Sequence, residues 1–344
     1  MYDAGKGIFK DKGYAEMSEN DSEITICPGG SAVNITRALK PIASAAGLKA
    51  TVYTAMRLGR THENPGKDLI LAELGNPGLH DKTLIDSMYG TNYSTPNNLV
   101  LENGHEEHHG RAIWRRRPQT IVLSAQTIHE IDYAISHAQI VMGNSAPFEE
   151  TMQAFQAARE RGVTTVLDYS HKIDSKNPDR AAEIAALNRA AQMIPLADYI
   201  VAPSDAMVPG MSGVNGDELF ERLAEQFGKK SFAVSDGSHD VKIMANGSRS
   251  SLTMHDVPVR ISNGVGDTRD AGLVVGLAAR LSFHDAVKFG CDIAELYIQQ
   301  PTRQQFVQSL PEYFRHHAAQ PPEKHQASVW RRLLEDFGGA PMPG

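Results

Sequence analysis

The 344-residue chain is poor in three things that mark a protein's surroundings: cysteine, excess positive charge and long apolar runs. Its 2 cysteines, Cys27 and Cys291, show no Cys-x-x-Cys spacing, which excludes a disulfide framework and a zinc knuckle and leaves both as core thiols. Lys and Arg total 34 against 41 Asp and Glu, a formal net charge of −7. That balance is wrong for a general nucleic-acid binder, which needs net positive surface to displace counterions from phosphates. No run approaches the roughly 20 apolar residues of a membrane span, and Met1 to Lys6 carries no apolar leader. The expectation is a cytoplasmic protein with neither membrane nor nucleic acid as partner. What is present, 41% hydrophobic and 22% charged residues, suits a globular fold that buries its core without staples.

From about residue 138 onward, short apolar runs alternate with amphipathic stretches, the pattern of β-α-β units and a parallel sheet. Strands are expected over 138–143, 163–168, 198–202 and 231–235, all rich in β-branched residues and suited to burial on both faces. Between the first two lies a helix marked by Pro147 near its start, Arg159 and Arg161 in its last turn and Gly162 after it. A second helix, 217–227, aligns Leu219, Leu223 and Phe227 on one face. A hairpin over 240–244 and 251–254 turns at Asn246-Gly247, and a further strand is expected over 257–261. The stretch 270–281 predicts a buried helix, while 285–299, 302–317 and 325–336 predict peripheral ones, and 338–344 reads as a flexible tail. The first 120 residues are polar and strand-poor, with strand signals at 24–27 and 98–102, and suggest a small strand-built lobe.

The sharpest local signal is Gly264-Val265-Gly266-Asp267, after a strand and opening a buried helix. Two glycines permit a tight turn in which successive N–H groups and the positive helix end face one anion, most naturally phosphate. A carboxylate in the first helical turn then lies beside that phosphate, where it can accept the proton of an attacking hydroxyl. Alone, the motif is weak and more often marks a capping turn before a buried helix. A second segment, Pro28-Gly29-Gly30-Ser31-Ala32-Val33-Asn34, also enters a helix, with two glycines for close ligand approach and an amide that both donates and accepts.

Together, in this order, the two motifs resemble those of the ribokinase-like, or PfkB, family of carbohydrate kinases. The resemblance spans most of the chain. It implies an α/β, three-layer ribokinase-like fold in one domain over 1–344, with a mostly parallel central sheet flanked by helices. A small β lid is expected within about 8–27 and 97–117. It implies that Gly29, Gly30 and Asn34 line the sugar site, that Gly264, Val265 and Gly266 form the anion hole, and that Asp267 is the catalytic base. ATP with Mg2+, and often a monovalent cation, comes with it, as does a sugar or nucleoside partner. A homodimer is among the assemblies it allows.

Weaker matches fall at strand ends. Asp168-Tyr169-Ser170-His171-Lys172 stands where the family often has Asp-x-Asn-x-Arg, and Ser235-Asp236-Gly237 stands where a Thr-x-Gly turn touches nucleotide phosphates. Departures accompany them. Where Asn-x-x-Glu is usual, this chain reads Ser204-Asp205-Ala206-Met207, so Ser204, Ser235 and Gly237 are the nucleotide candidates and Asp205 the candidate metal ligand. An aromatic after the base is replaced by Arg269, whose planar cation suits phosphate. A sugar-binding acid should end the family's first strand; Asp3 stands in that place, with almost nothing before it.

Two showy features are discounted. His105-Glu106-Glu107-His108-His109 spells a zinc-protease motif but lies between strand-like runs without an apolar helical face, and fits a solvated hairpin tip. Trp114-Arg115-Arg116-Arg117-Pro118 has no second basic cluster beside it, and fits a solvated edge or an anionic substrate better than nucleic acid. The expectation is an ATP-dependent phosphotransferase acting on an alcohol of a small sugar or sugar derivative. Its alternatives are a nucleoside kinase of the same fold and a catalytically impaired sugar- or nucleotide-binding protein.

Overall fold

The computed structural model describes residues 31–57, 82–86, 99–102, 111–114, 125–145, 148–173, 179–237 and 239–318. In chain order the described elements are α1 (Ser31–Ala45), β1 (Tyr53–Arg57), β2 (Lys82–Asp86), β3 (Leu99–Glu102), β4 (Arg111–Trp114) and α2 (Ala125–Ser136). There follow β5 (Ile140–Asn144), α3 (Phe148–Arg161), β6 (Thr164–Asp168), α4 (Arg180–Ala191), β7 (Tyr199–Pro203), α5 (Gly216–Phe227) and β8 (Ser231–Ser235). The chain continues through β9 (Asp240–Ala245), β10 (Ser248–Thr253), α6 (Val265–Ala278), α7 (Phe283–Ile298) and α8 (Arg303–Ala318).

The central sheet has six described strands in the order β10-β9-β8-β7-β6-β5. β5 to β8 are parallel, each joined to the next through a helix, and β9 and β10 close the edge as an antiparallel hairpin. Successive side chains of a strand point to opposite faces. Val166, Val201 and Ala233 therefore enter one core, with α1, α6, α7 and α8, while Leu167, Ile200, Phe232 and Val234 enter the other, with Phe155 of α3, Ala190 of α4 and Leu219 of α5. This is the three-layer ribokinase-like α/β fold, in which all parallel strands end on one edge and place their C-terminal loops together.

Two smaller pairings stand apart: β1 with β2, parallel, and β3 with β4, antiparallel with Leu99 opposite Trp114. The latter falls within the 97–117 lid segment. The 8–27 lid segment, the helix over 325–336, the tail 338–344, the His105–His109 run and Arg115–Pro118 lie outside the described residues. No helix among the described residues is long and apolar enough to cross a membrane.

One expectation fails. Residues 257–261 form no strand, because the N–H groups of Arg260 and Ile261 both turn to the Ile298 carbonyl at the end of α7 (2.8 and 3.3 Å), and Pro258 offers no donor to a ladder. The helix expected from 270 begins at Val265, so the anion-loop glycine and the aspartate belong to its first turn. Along its length α6 crosses α7 at unusually close range. A Cβ on Gly272 would lie 2.9 Å from the Gly290 Cα, and one on Gly290 would lie 2.5 Å from the Arg269 carbonyl oxygen, so the helices meet backbone to backbone.

Candidate active site

The start of α6 carries the geometry expected of an anion loop. Gly264 caps the helix with φ +84°, a left-handed conformation that other residues adopt only at a cost. It is also hemmed in: a Cβ would stand 3.1 Å from Arg303 Nη2, 3.5 Å from the Tyr297 hydroxyl and 3.7 Å from Asn34 Cγ. Its carbonyl accepts from Thr268 N (2.9 Å) and Thr268 Oγ1 (2.8 Å), closing the first turn beneath it. Gly266 is the opposite case, exposed and with nothing within 4 Å of where a Cβ would be. The first-turn amides of a helix lack intrahelical acceptors, so this open face can take the oxygens of an anion.

Asn34, buried on α1, reaches across from the other end of the chain, and its Nδ2 donates to Asp267 Oδ2 at 2.7 Å. The structure thus brings Asn34 and Gly264 to Asp267 into one cluster. Asp3, Gly29 and Gly30 lie outside the described residues. Two residues the sequence reading passed over complete the cluster. Arg303, at the start of α8, donates from Nη2 to Asn34 Oδ1 (3.2 Å) and to the Tyr297 hydroxyl (3.3 Å). Tyr297, buried on α7, donates that hydroxyl to the Asn263 carbonyl (2.8 Å), immediately before the anion loop.

The ends of β7 and β8 form the neighbouring half. Ser204 N donates to the Ser235 carbonyl (2.7 Å), and Ser204 Oγ donates to Asp236 Oδ1 (2.7 Å), so the two strand ends are tied together. Gly237 follows in a left-handed conformation, φ +56°, exposed with open space around it. Asp205 forms an ion pair with Lys172, while its Oδ1 is buried without a partner. Met207 is buried, and its carbonyl accepts from the Tyr169 hydroxyl (2.8 Å), so its side chain offers no oxygen here. Among the described residues no group of three His, Cys, Asp or Glu is placed to hold a metal.

Between the halves sits a charged seam. Arg269 does not face the open loop. It pairs with Asp270 (Nε at 2.9 Å, Nη2 at 2.7 Å) and donates from Nη1 to Ser235 Oγ (2.6 Å), so it spans from α6 to the end of β8. The pairing follows from burial, since Asp270 is only 2% exposed and an uncompensated charge there would cost several kcal/mol. Asp168, closing β6, accepts from Asn144 Nδ2 (2.6 Å). Burial, reinforced by Asp270 and opposed by Arg269, pushes its carboxyl up to about 8. Burial likewise pulls the His171 imidazole down, with Glu183 partly opposing.

Known proteins can be set beside this geometry. The sequence profile described as pfkB family carbohydrate kinase matches residues 85–309. A search of curated proteins found no significant relative. Among solved structures, ribokinase of Arabidopsis thaliana, complexed with ribose and ATP, is 17% identical, with 93% of each chain covered and a TM-score of 0.57. An E. coli putative ribokinase II in complex with ATP and Mg2+ is 13% identical over 86% of this chain and 93% of that one, TM-score 0.60. Adenosine kinase of Anopheles gambiae is 13% identical over 82% of each, TM-score 0.58. At these identities the likeness is one of fold.

Proposed function

Because the chain belongs to the pfkB family of carbohydrate kinases, we propose that it transfers the γ-phosphoryl group of ATP to a hydroxyl of a small sugar or sugar derivative, with Asp267 as the base. The observation that carries this reading is the Asn34–Asp267 contact at 2.7 Å, directly beside an anion loop that is open at Gly266. A carboxylate in the first turn complements the helix dipole, but beside a phosphate site it does not serve simple phosphate binding, since it repels the bound anion. It does serve a reaction in which a proton must leave the attacking oxygen as the phosphorus is approached.

In this mechanism Asn34 orients the acceptor, with Gly29 and Gly30 allowing close approach and Asp3 contributing a carboxylate. Asp267 takes the hydroxyl proton. The amides of Gly264, Val265 and Gly266 stabilise the charge that grows on the transferring oxygens, as pre-aimed dipoles that need no reorganisation. Ser204, Ser235 and Gly237 bind the nucleotide phosphates. The donor set at the β7 end suits a magnesium ion: Asp205 has a buried, unpartnered Oδ1, Asp236 lies beside Ser204, and Mg2+ favours one or two carboxylates with water and phosphate. Asp205 and Asp236 would hold it, and bound there it supplies neutralisation of phosphate charge.

Met207 favours one rival, binding without transfer, because a buried thioether stands where the family motif has a carboxylate. Transfer of labelled γ-phosphate from magnesium ATP to pooled sugars and nucleosides decides between them. Transfer that falls at least about 1,000-fold in Asp267→Asn supports the kinase and its base, and dividing the pool identifies a sugar or nucleoside acceptor. A folded protein that shifts its melting temperature with sugar but transfers no phosphate supports the binding protein.

A further inference from the structure

Arg303 is far from both glycine motifs in sequence, yet it touches the centre of the site. Its Nη2 donates to Asn34 Oδ1 at 3.2 Å and its guanidinium lies against Gly264, with Nη2 3.1 Å from where a Cβ would be. We propose that Arg303 is a positioning residue for phosphoryl transfer, locking the Asn34 amide so that its NH2 is always presented to Asp267. The proposal rests on the kinase reading above and adds to it a residue that neither motif contains.

The chemistry makes the lock one-way. A guanidinium only donates, so the Asn34 atom facing it must be the carbonyl oxygen. The NH2 is thereby turned to the other side, where it meets the carboxylate of Asp267. Without Arg303 the amide can flip and set its oxygen against Asp267 with repulsion instead of a hydrogen bond. The same Nη2 also donates to the Tyr297 hydroxyl, which holds the Asn263 carbonyl, so one cation fixes both the acceptor amide and the segment entering the anion loop.

Two features argue against a merely structural arginine. Arg303 is the first residue of α8, where a cation opposes the helix dipole instead of complementing it. Its Nη1 is buried without a hydrogen-bond partner, a cost that a residue serving stability alone would not carry. The side chain is nonetheless held in place, with its guanidinium 6.0 Å from the Tyr297 ring centroid and that ring packed edge-on against Phe306.

The test is a double-mutant cycle on the full chain, with Arg303→Gln, Asn34→Ala and the pair compared by kcat, KM and thermal melting. Arg303→Gln is expected to lower kcat about 30-fold with the KM for ATP unchanged, a size typical of lost orientation. In the Asn34→Ala background the same change is expected to lower kcat less than about twofold, because the arginine acts through that amide. Losses that multiply, or an unimpaired Arg303→Gln, overturn the proposal. A second readout needs no turnover: the Asn34 side-chain amide protons, followed by NMR in asparagine-labelled protein. They are expected to be protected from exchange in the native chain and unprotected in Arg303→Gln. Protection that survives the substitution overturns the lock. A native protein that transfers no phosphate sinks the kinase reading alone, and the exchange measurement then decides whether the lock exists.

Discussion

The two halves of the site are built in different ways. On the side proposed for the acceptor, α1, α6, α7 and α8 contribute Asn34, Asp267, Tyr297 and Arg303 to one hydrogen-bonded chain that is largely enclosed. On the side proposed for the nucleotide, the ends of β7 and β8 present Ser204, Asp205, Asp236 and Gly237 on the surface, tied by short-range bonds and an ion pair between half-exposed side chains. Exposed pairs contribute little, at most about 1 kcal/mol. On the kinase reading proposed above, the contrast shows where the protein has invested its preorganisation: the atoms that would handle the proton are fixed before any ligand arrives, whereas those that would hold phosphates are left for the ligand to order. It also fits the departure from the family pattern at Ser204: a local surface contact can be redrawn singly, while a buried network fails if one member is lost.

The strongest way to break this comparison is Gly264→Ala. The left-handed backbone costs roughly 1–2 kcal/mol, and the new methyl would press on Arg303 Nη2 and the Tyr297 hydroxyl. We expect transfer to fall about 100-fold and the melting temperature to drop, measured by initial rates and calorimetry; a variant with native kinetics would show that the enclosed half is not preorganised. Next in size is the seam. Asp168 in the folded chain is raised from 3.8 to about 8, so the folded state binds the extra proton. The stability this provides is complete below the unfolded value and is lost as pH rises through about 8. In Asp168→Asn the amide can still accept from Asn144, and we expect its melting temperature to fall less than the native one between pH 6 and pH 9. Parallel pH curves would refute a protonated Asp168. The smallest effect belongs to Gly237→Ala, which shares the left-handed backbone but meets open space. It should cost about 1 kcal/mol of stability and raise the KM for ATP only a few-fold, readable by denaturant titration and steady-state kinetics. If it matched Gly264→Ala, the two halves would not differ.

Much of the scaffold could be read from residues close together in the chain. The run 231–235 coincides with β8 because it is short, apolar and bounded by polar residues, and the Asn246-Gly247 turn sits where the hairpin was expected. Val257–Ile261 misled because β-branched residues report a tendency to extend, not which partner takes their N–H groups, and here that partner is the Ile298 carbonyl at the end of α7. The helices over 125–136 and 180–191 went unread, the latter because its many alanines leave little apolar stripe to recognise. Within the site, Asn34 and Asp267 were legible through their motifs. Arg303 was not, because it is 269 positions from Asn34 and nothing near it in sequence suggests an anion or a base. Asp270 was passed over for a related reason: its meaning depends on the burial that makes Arg269 turn inward to it instead of outward to phosphate.

The glycine seam between α6 and α7 has a mechanical consequence. Where Gly272 meets Gly290 there is no side chain between the two backbones to tilt, repack or yield. Packed side chains give a helix crossing compliance; this crossing has almost none, and it lies little more than one turn from Asp267. On the kinase reading, the helix carrying Asp267 is therefore braced like an anvil. A methyl added at Gly272 or Gly290 has to part the two helices, and the start of α6 moves with them.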